Sequence, residues 1–389
     1  MGFEAVSAHD DLIAYRDEFP ILERTTYLNS CSLGALSQRS MDAMTEFMAR
    51  WNAHGASAWY EIWWGELQGV RDSFAQLIGA TGREIAIQPN VSVALSAIAS
   101  ALDFSKRPKV VMTEFDFPTV FYQWLVKRHP EVELVVLESD DGVSIPLEKY
   151  EDAIDERTAL VSTSRVFFTT GYIQDLETIT AMAHAKGAQI FVDDYQGTGQ
   201  VPVDVKNLNV GYLVTGGLKW LLGGPGIAFL YVREDLITQL EPTITGWFAN
   251  AHQFEFQPQK FAFRDDATRF ELGTPALAPV YAARGGLEIV HEIGPQRLRE
   301  RTSHLTTDLI ERARKHGFRL RVADDEHDRA GIVMVEMEGP ERVVQALAER
   351  GIIVDYRPGA VRISPYFYNT VDENERVLDA IEHSRLSST

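Results

Sequence analysis

Gln189–Ile190–Phe191–Val192–Asp193–Asp194–Tyr195–Gln196 is an apolar run that ends abruptly in two acids. A strand buried on both faces reads as such a continuous run rather than as an alternation of apolar and polar residues. In open α/β sheets, ligands lie beyond the carboxyl ends of the strands. Asp193 therefore stands where a ligand would lie, or else it caps the turn that follows. Similar runs occur at 84–88, 109–113, 133–137, 158–162, 211–215 and 227–232. Helical patterns separate most of them. The segment 175–186 is one, with Asp175 as its N-cap and Gly187 as its stop. Strands alternating with helices imply right-handed crossovers and an α/β fold with a mostly parallel, seven-stranded sheet.

The next run leads into Val214–Thr215–Gly216–Gly217–Leu218–Lys219–Trp220–Leu221–Leu222–Gly223–Gly224–Pro225–Gly226. Lys219 is surrounded by apolar and glycine residues. Desolvation lowers a lysine pKa and makes the amine a nucleophile. Glycines let the backbone approach a ligand. Taken alone, this lysine reads equally as a surface residue of a loop. Paired with Asp193, which lies 26 residues earlier, it is more specific. Chemistry on pyridoxal 5′-phosphate (PLP) needs a Schiff-base lysine and an acid facing the pyridinium nitrogen.

The run 192–232 resembles the class V aminotransferase family, which includes cysteine desulfurases, kynureninases and isopenicillin-N-epimerase-like proteins. Asp193, Gln196, Lys219 and the glycines 223–226 match its pattern. The resemblance implies the PLP-dependent transferase fold type I, with PLP as cofactor. It makes Lys219 and Asp193 the catalytic pair and gives Gln196 to the ring oxygen. It extends over nearly the whole chain. Tyr27–Leu28–Asn29–Ser30–Cys31–Ser32–Leu33–Gly34 is similar to the substrate loop of kynureninases, which puts Asn29, Ser30 and Cys31 at the substrate. In Pro89–Asn90–Val91–Ser92, the Val91 backbone and Ser92 would hold the phosphate at a helix N-terminus. Phe117 would stack on the cofactor ring, and Thr170 in Phe168–Thr169–Thr170–Gly171 would contact the cofactor. Thr274 in the Gly273–Thr274–Pro275 turn would reach the partner subunit's cofactor, which implies a homodimer with shared active sites. Arg362, in the signature running from Asp355 to Pro365, would bind the substrate carboxylate through two parallel hydrogen bonds. Arg357 is the weaker candidate.

Beyond Pro275 the pattern changes. Residues 276–317 are helical in period, interrupted at Gly294–Pro295. Short strands at 319–322, 331–337, 352–356 and 360–364 follow, then a last helix. We expect an N-terminal segment 1–50 packed on a small domain, a large PLP-binding domain 51–275, and a linker helix with a small α+β domain 276–389. The net charge of −19 argues against a nucleic-acid or membrane-surface binder. A single cysteine, Cys31, excludes an internal disulfide and a cysteine metal cluster, and fits a reducing cytoplasm. His54, His252 and His291 lack metal-ligand spacing, so no metal is expected. Met1–Asp10 lacks the basic and apolar regions of a signal peptide. The expected activity is that of a lyase breaking a C–C or C–S bond of an α-amino acid. A transaminase or epimerase would use the same residues, and a non-catalytic PLP-binding regulator would not need all of them.

Overall fold

The computed structural model describes residues 10–127 and 132–386. The first nine residues, on which the reading of the chain start rests, lie outside them. The elements run β1 (Thr26–Tyr27), α1 (Gln38–His54), α2 (Trp64–Leu77), β2 (Ile85–Gln88), α3 (Val91–Ala101), β3 (Lys109–Thr113), α4 (Pro118–Lys127) and β4 (Glu133–Leu137). Next come α5 (Leu147–Ala153), β5 (Thr158–Ser164), α6 (Leu176–Ala185), β6 (Gln189–Asp193), α7 (Val205–Leu208), β7 (Tyr212–Gly216), β8 (Ala228–Val232) and α8 (Glu234–Ile237). The C-terminal part holds α9 (Leu277–Ile293), α10 (Pro295–Lys315), β9 (Leu320–Arg321), β10 (Val333–Glu336), α11 (Pro340–Glu349), β11 (Ile352–Ile353), β12 (Asp355–Arg357), β13 (Ala360–Ile363) and α12 (Val371–Leu386).

β2 to β8 form one seven-stranded sheet in the order β2-β8-β7-β6-β5-β3-β4. Its neighbours pair in parallel except at β2–β8 and β7–β8, so β8 alone is reversed. The reason is local. The connection from β7 to β8 is the short loop carrying Lys219, whereas a parallel return needs a dozen or more residues and usually a helix. The apolar runs are buried on both faces, as their composition predicts. Val111, Val161, Ile190, Val192, Leu213 and Phe229 belong to the core on one side. Val110, Leu160, Phe191, Val214 and Leu230 belong to the core on the other. α6 carries both expected caps: Asp175 accepts from Thr178 N, and Gly187 has φ 72°.

Because β5 lies on the far side of β3 from β4, the strand order reverses between β3 and β5. A crevice for a ligand opens at such a switch point. The loops leaving β3, β5, β6 and β7 converge there. Behind them β12, β13, β10 and β9 form a second, antiparallel sheet. The N-terminal segment is stitched to this part: β1 pairs in parallel with β11, and Asn29 bridges to Ser364.

One buried ion pair fixes two of the converging loops. Arg165, just beyond β5, donates from Nε to Asp194 Oδ1 at 2.6 Å and from Nη2 to Asp194 Oδ2 at 2.8 Å. Arg165 also donates to the carbonyls of Val201 and Pro202. Its job is thus to set the backbone after β6, not to meet a ligand. Removing one partner leaves an uncompensated buried charge, which costs about 3–5 kcal/mol. Asp194→Ala should lower the stability read from urea unfolding by that amount. An unchanged unfolding midpoint would show that the pair does not hold the loops.

Candidate active site

Three acids lie buried at the carboxyl ends of the strands, and each is handled differently. Asp116 accepts from Thr113 N at 2.7 Å, Thr113 Oγ1 at 3.0 Å and Ser164 N at 2.6 Å, so it ties β3 to β5. Burial still pushes its carboxyl up to about 6. Asp194 is neutralised by Arg165. Asp193 accepts one bond, from Tyr195 N to Oδ1 at 3.0 Å, and its second oxygen has no partner among the described residues. Burial pushes the Asp193 carboxyl up, with Asp116 and Asp194 adding to the shift. Buried polar atoms are as a rule hydrogen-bonded, so a cation or an N–H placed against that oxygen would complete its partners and favour the charged form.

Lys219 occupies the loop after β7, two strand ends along from β5, and is 8% exposed. Its Nζ makes no hydrogen bond or ion pair among the described residues. The Tyr195 ring centroid lies 4.2 Å from it and that of Phe117 5.8 Å. Burial pulls the amine below the usual lysine range, opposed by Cys31 and Asp193 and reinforced by Arg362 and Arg357. A buried amine that is easily neutral is a nucleophile. The N-terminal loop lies directly against it: Gly34 N donates to Leu218 O at 2.8 Å, and a Cβ at Gly34 would come within 2.2 Å of Lys219 O. Only glycine fits there.

Gln196 joins these pieces. Its Nε2 donates to Cys31 O at 3.0 Å, and its Oε1 accepts from Trp220 Nε1 at 2.9 Å. The side chain expected at the ring oxygen therefore clamps the N-terminal loop to the lysine loop, with one amide N–H left over. Cys31 is fully buried, donates its N–H to Ser364 Oγ at 3.0 Å and has Sγ 3.8 Å from Asn29 Oδ1. Ser30 faces away, sharing a 2.7 Å bond with the Tyr368 hydroxyl.

Arg362 on β13 is 1% exposed. Nη1 donates to Phe168 O at 2.9 Å, and Nη2 donates to Ser32 Oγ and to Asp355 Oδ2, each at 2.7 Å. Nε is buried without a partner. The same Asp355 pairs with Arg357 at 2.8 Å. Burial would raise the Asp355 carboxyl, but the Ser32 hydroxyl and the two arginines hold it below the usual range. Ser32 and Asp355 stood in the two motifs but carried no role in the sequence. Their part depends on the pairing of β12 with β13, which sets Asp355 opposite Arg362.

At the other end of the crevice, Val91 and Ser92 open α3, whose N-cap Asn90 accepts from Val93 N. The leading N–H groups of a helix have no partner within it and attract anions. Ser92 Oγ lies 2.5 Å from Thr119 Oγ1, so the starts of α3 and α4 meet. Thr119 was not singled out in the sequence, because only the fold brings it to Ser92. Phe117 is 40% exposed and packs edge-on against Phe168 at 5.1 Å. Thr170, expected at the cofactor, uses its hydroxyl within the protein, donating to Val143 O in the β4–α5 loop at 3.0 Å and accepting from Tyr172 N at 3.2 Å. Thr274 is exposed and lines a cleft of about 150 Å³ with Gln88 and Pro89. His54 binds Glu61, and His291 binds Ser73 O.

This donor set fits PLP. It offers an unpartnered amine for the aldehyde carbon, a half-satisfied acid for the pyridinium nitrogen, and a helix N-terminus for the phosphate.

A family model described as Aminotransferase class-V matches residues 26–377. The Bacillus subtilis (strain 168) protein named uncharacterized aminotransferase YcbU is 36% identical, covering 94% of this chain and 96% of its own. A kynureninase of Bacillus mycoides (strain KBAB4) is 30% identical over 94% of this chain and 89% of its own. Among solved structures, an apo cysteine desulfurase from Thermococcus onnurineus NA1 superposes with a TM-score of 0.87 at 23% identity, covering 98% of this chain and 99% of that one. The cystine C–S lyase C-DES in complex with cysteine persulfide gives 0.86 at 20%, covering 93% and 98%. These two likenesses bear on the fold.

The Gln196 clamp is testable. Gln196→Leu leaves a buried carbonyl and a buried indole N–H unpaired, at about 1–3 kcal/mol each. Amide exchange across residues 29–34 should accelerate at least tenfold by mass spectrometry. Unchanged exchange would mean that the loop is held by other contacts.

Proposed function

Because the chain belongs to the aminotransferase class-V family and is a PLP-dependent enzyme, we propose that it is a lyase that breaks a C–C or C–S bond in the side chain of an α-amino acid. The observation that carries the reading is the buried, unpartnered Lys219 amine in one crevice with Asp193. When bound, PLP supplies a carbonyl that condenses with amines and a pyridinium ring that takes up electrons from Cα. Lys219 Nζ would hold the cofactor's aldehyde carbon and, as a free amine, would take the proton from Cα. The free oxygen of Asp193 would keep the ring nitrogen protonated. The unpartnered N–H groups at Val91 and Ser92 hold the phosphate. Arg362 takes the substrate carboxylate, fixing the orientation of Cα. Its Nε is free, but a bidentate grip requires Ser32 or Asp355 to yield its place.

Two features support a lyase. The relatives include kynureninases of similar length. The chain's single cysteine, Cys31, is fully buried in the N-terminal loop, so a thiol on a mobile C-terminal loop, as a persulfide-forming desulfurase needs, is missing from the sequence. Transamination is the second reading, favoured by the 36% identical relative named as an aminotransferase. We also propose a homodimer in which Thr274 meets the partner subunit's cofactor. Exposed Tyr60, Trp247, Phe254 and Phe256 provide an aromatic surface of the kind that subunits bury. The one unpaired, buried cysteine suits a reducing cytoplasm. No helix among the described residues is long and apolar enough to cross a membrane.

A panel of kynurenine, cystine, cysteine, alanine and aromatic amino acids, without a keto acid, separates the readings. A lyase releases alanine, pyruvate or a thiol catalytically. One equivalent of pyridoxamine phosphate and a keto acid would replace that reading by transamination. Borohydride should fix the cofactor to the wild type and not to Lys219→Ala; fixation at another lysine would remove the assignment. Losing a buried charge pair costs about 2–5 kcal/mol. Arg362→Ala should therefore raise KM by roughly a hundredfold, while Asp355→Asn, which frees the guanidinium, should lower it. Equal KM values in all three proteins would place the carboxylate elsewhere.

A further inference from the structure

A buried ammonium ordinarily has a carboxylate or several acceptors around it, because an unpaired charge in a dry interior is strongly disfavoured. Lys219 is 8% exposed and makes no ion pair or hydrogen bond among the described residues; Asp193 acts on it only through space. What it does have is an aromatic face. The Tyr195 ring centroid lies 4.2 Å from Nζ, well inside the range of a cation–π contact. Phe117 is at 5.8 Å, near the outer limit, and is itself 40% exposed.

Tyr195 is held in this position by two independent constraints. Its backbone N–H donates to Asp193 Oδ1, so one turn fixes both the acid and the ring. Its ring lies over Gly216 at the end of β7. A Cβ at Gly216 would come within 1.6 Å of Tyr195 Cε2 and 2.3 Å of the hydroxyl oxygen. Gly216 has no positive φ, so its bareness answers to the ring and not to a backbone need. The Tyr195 hydroxyl has no hydrogen-bond partner among the described residues, so the ring is placed by packing and not by its polar end.

From these contacts we infer that Tyr195 is a positioning residue for the Lys219 amine, its ring face holding the free ammonium in the crevice where no ion pair or hydrogen bond does. The inference rests on the reading of Lys219 as the cofactor lysine for its meaning, but not for its test. The contact favours the protonated amine, while burial favours the neutral one, so the ring opposes the fall of the amine's titration. The other charged or titratable groups facing Lys219 are Cys31 from the N-terminal loop, Asp193 at the end of β6, Arg357 on β12 and Arg362 on β13. A ring, unlike a carboxylate, can hold the ammonium without locking it into an ion pair that must break when the amine reacts.

The test uses the full chain resolved from its cofactor. Competitive acetylation of Lys219, read by mass spectrometry from neutral to alkaline pH, gives the amine's titration midpoint directly. Tyr195→Phe keeps the ring and should keep the wild-type midpoint. Tyr195→Leu removes it and should lower the midpoint by about 1.5 pH units, the scale of a desolvated cation–π contact. Gly216→Ala drives the ring off its seat and should shift the midpoint the same way, which keeps the question open to test if the leucine variant does not fold. An unmoved midpoint in the folded leucine or Gly216→Ala protein overturns the inference. So does a phenylalanine variant that falls as far as leucine, since the contact would then run through the hydroxyl. Uptake of PLP by the same samples, followed by absorbance, is scored separately. A wild type that takes up no PLP but shows the expected midpoints would end the cofactor reading and leave the role of Tyr195 standing.

Discussion

Keeping one primary amine out of water without an ion pair or hydrogen bond is the constraint on which the rest of this site depends. Lys219 lies in the loop that turns β7 back into the reversed strand β8, and neighbours press on the backbone there. Gly34 is pressed against the lysine carbonyl, and Gly216 is pressed against the Tyr195 ring. The desolvation that results lowers the amine's proton affinity, which is what Schiff-base chemistry at neutral pH requires. The tight packing and the reactivity are two consequences of the same geometry.

The three acids at the strand ends show how a sheet edge sorts groups of one chemical type into different tasks. Asp116 receives backbone N–H groups from two strands and so becomes part of the frame. Asp194 receives a guanidinium and becomes part of the frame as well. Asp193, its neighbour in the chain, receives a single N–H and keeps an oxygen in reserve. A group left half-satisfied in a buried place is where a ligand gains most by binding. The same logic applies at Arg362, whose unpartnered Nε marks the end of its guanidinium that the protein does not use.

Much of the architecture was legible in the residues. The seven apolar runs became the seven strands with end shifts of at most two residues, because a strand covered on both faces has nowhere to place polar side chains. α6 began and ended at Asp175 and Gly187 as their capping chemistry requires, and α9 and α10 separated at Gly294–Pro295. The motif around Asp193 and Lys219 was legible because acid and amine each follow an apolar strand. Less legible were Ser32, Thr119, Tyr195 and Asp355. Each acts through a neighbour that is remote in sequence or on another strand: Ser92 for Thr119, Lys219 for Tyr195, Arg362 for Ser32 and Asp355. Gln196 stood out in its motif, but its partners did not. The indole of Trp220 and the carbonyl of Cys31 reach it only after the N-terminal loop has closed over the sheet.

The sequence by itself determined the α/β sheet, the acid at the end of β6 and the lysine after β7, because strand burial, helix capping and turn formation are short-range and leave periodic marks. Only the tertiary structure decided which acid stays half-satisfied, how Arg362 is clamped and which ring the Lys219 amine rests against. Those outcomes depend on strand order, on the β12–β13 register and on a chain start that folds back onto its end. They are contacts between residues far apart in the chain, and a local pattern carries no trace of them.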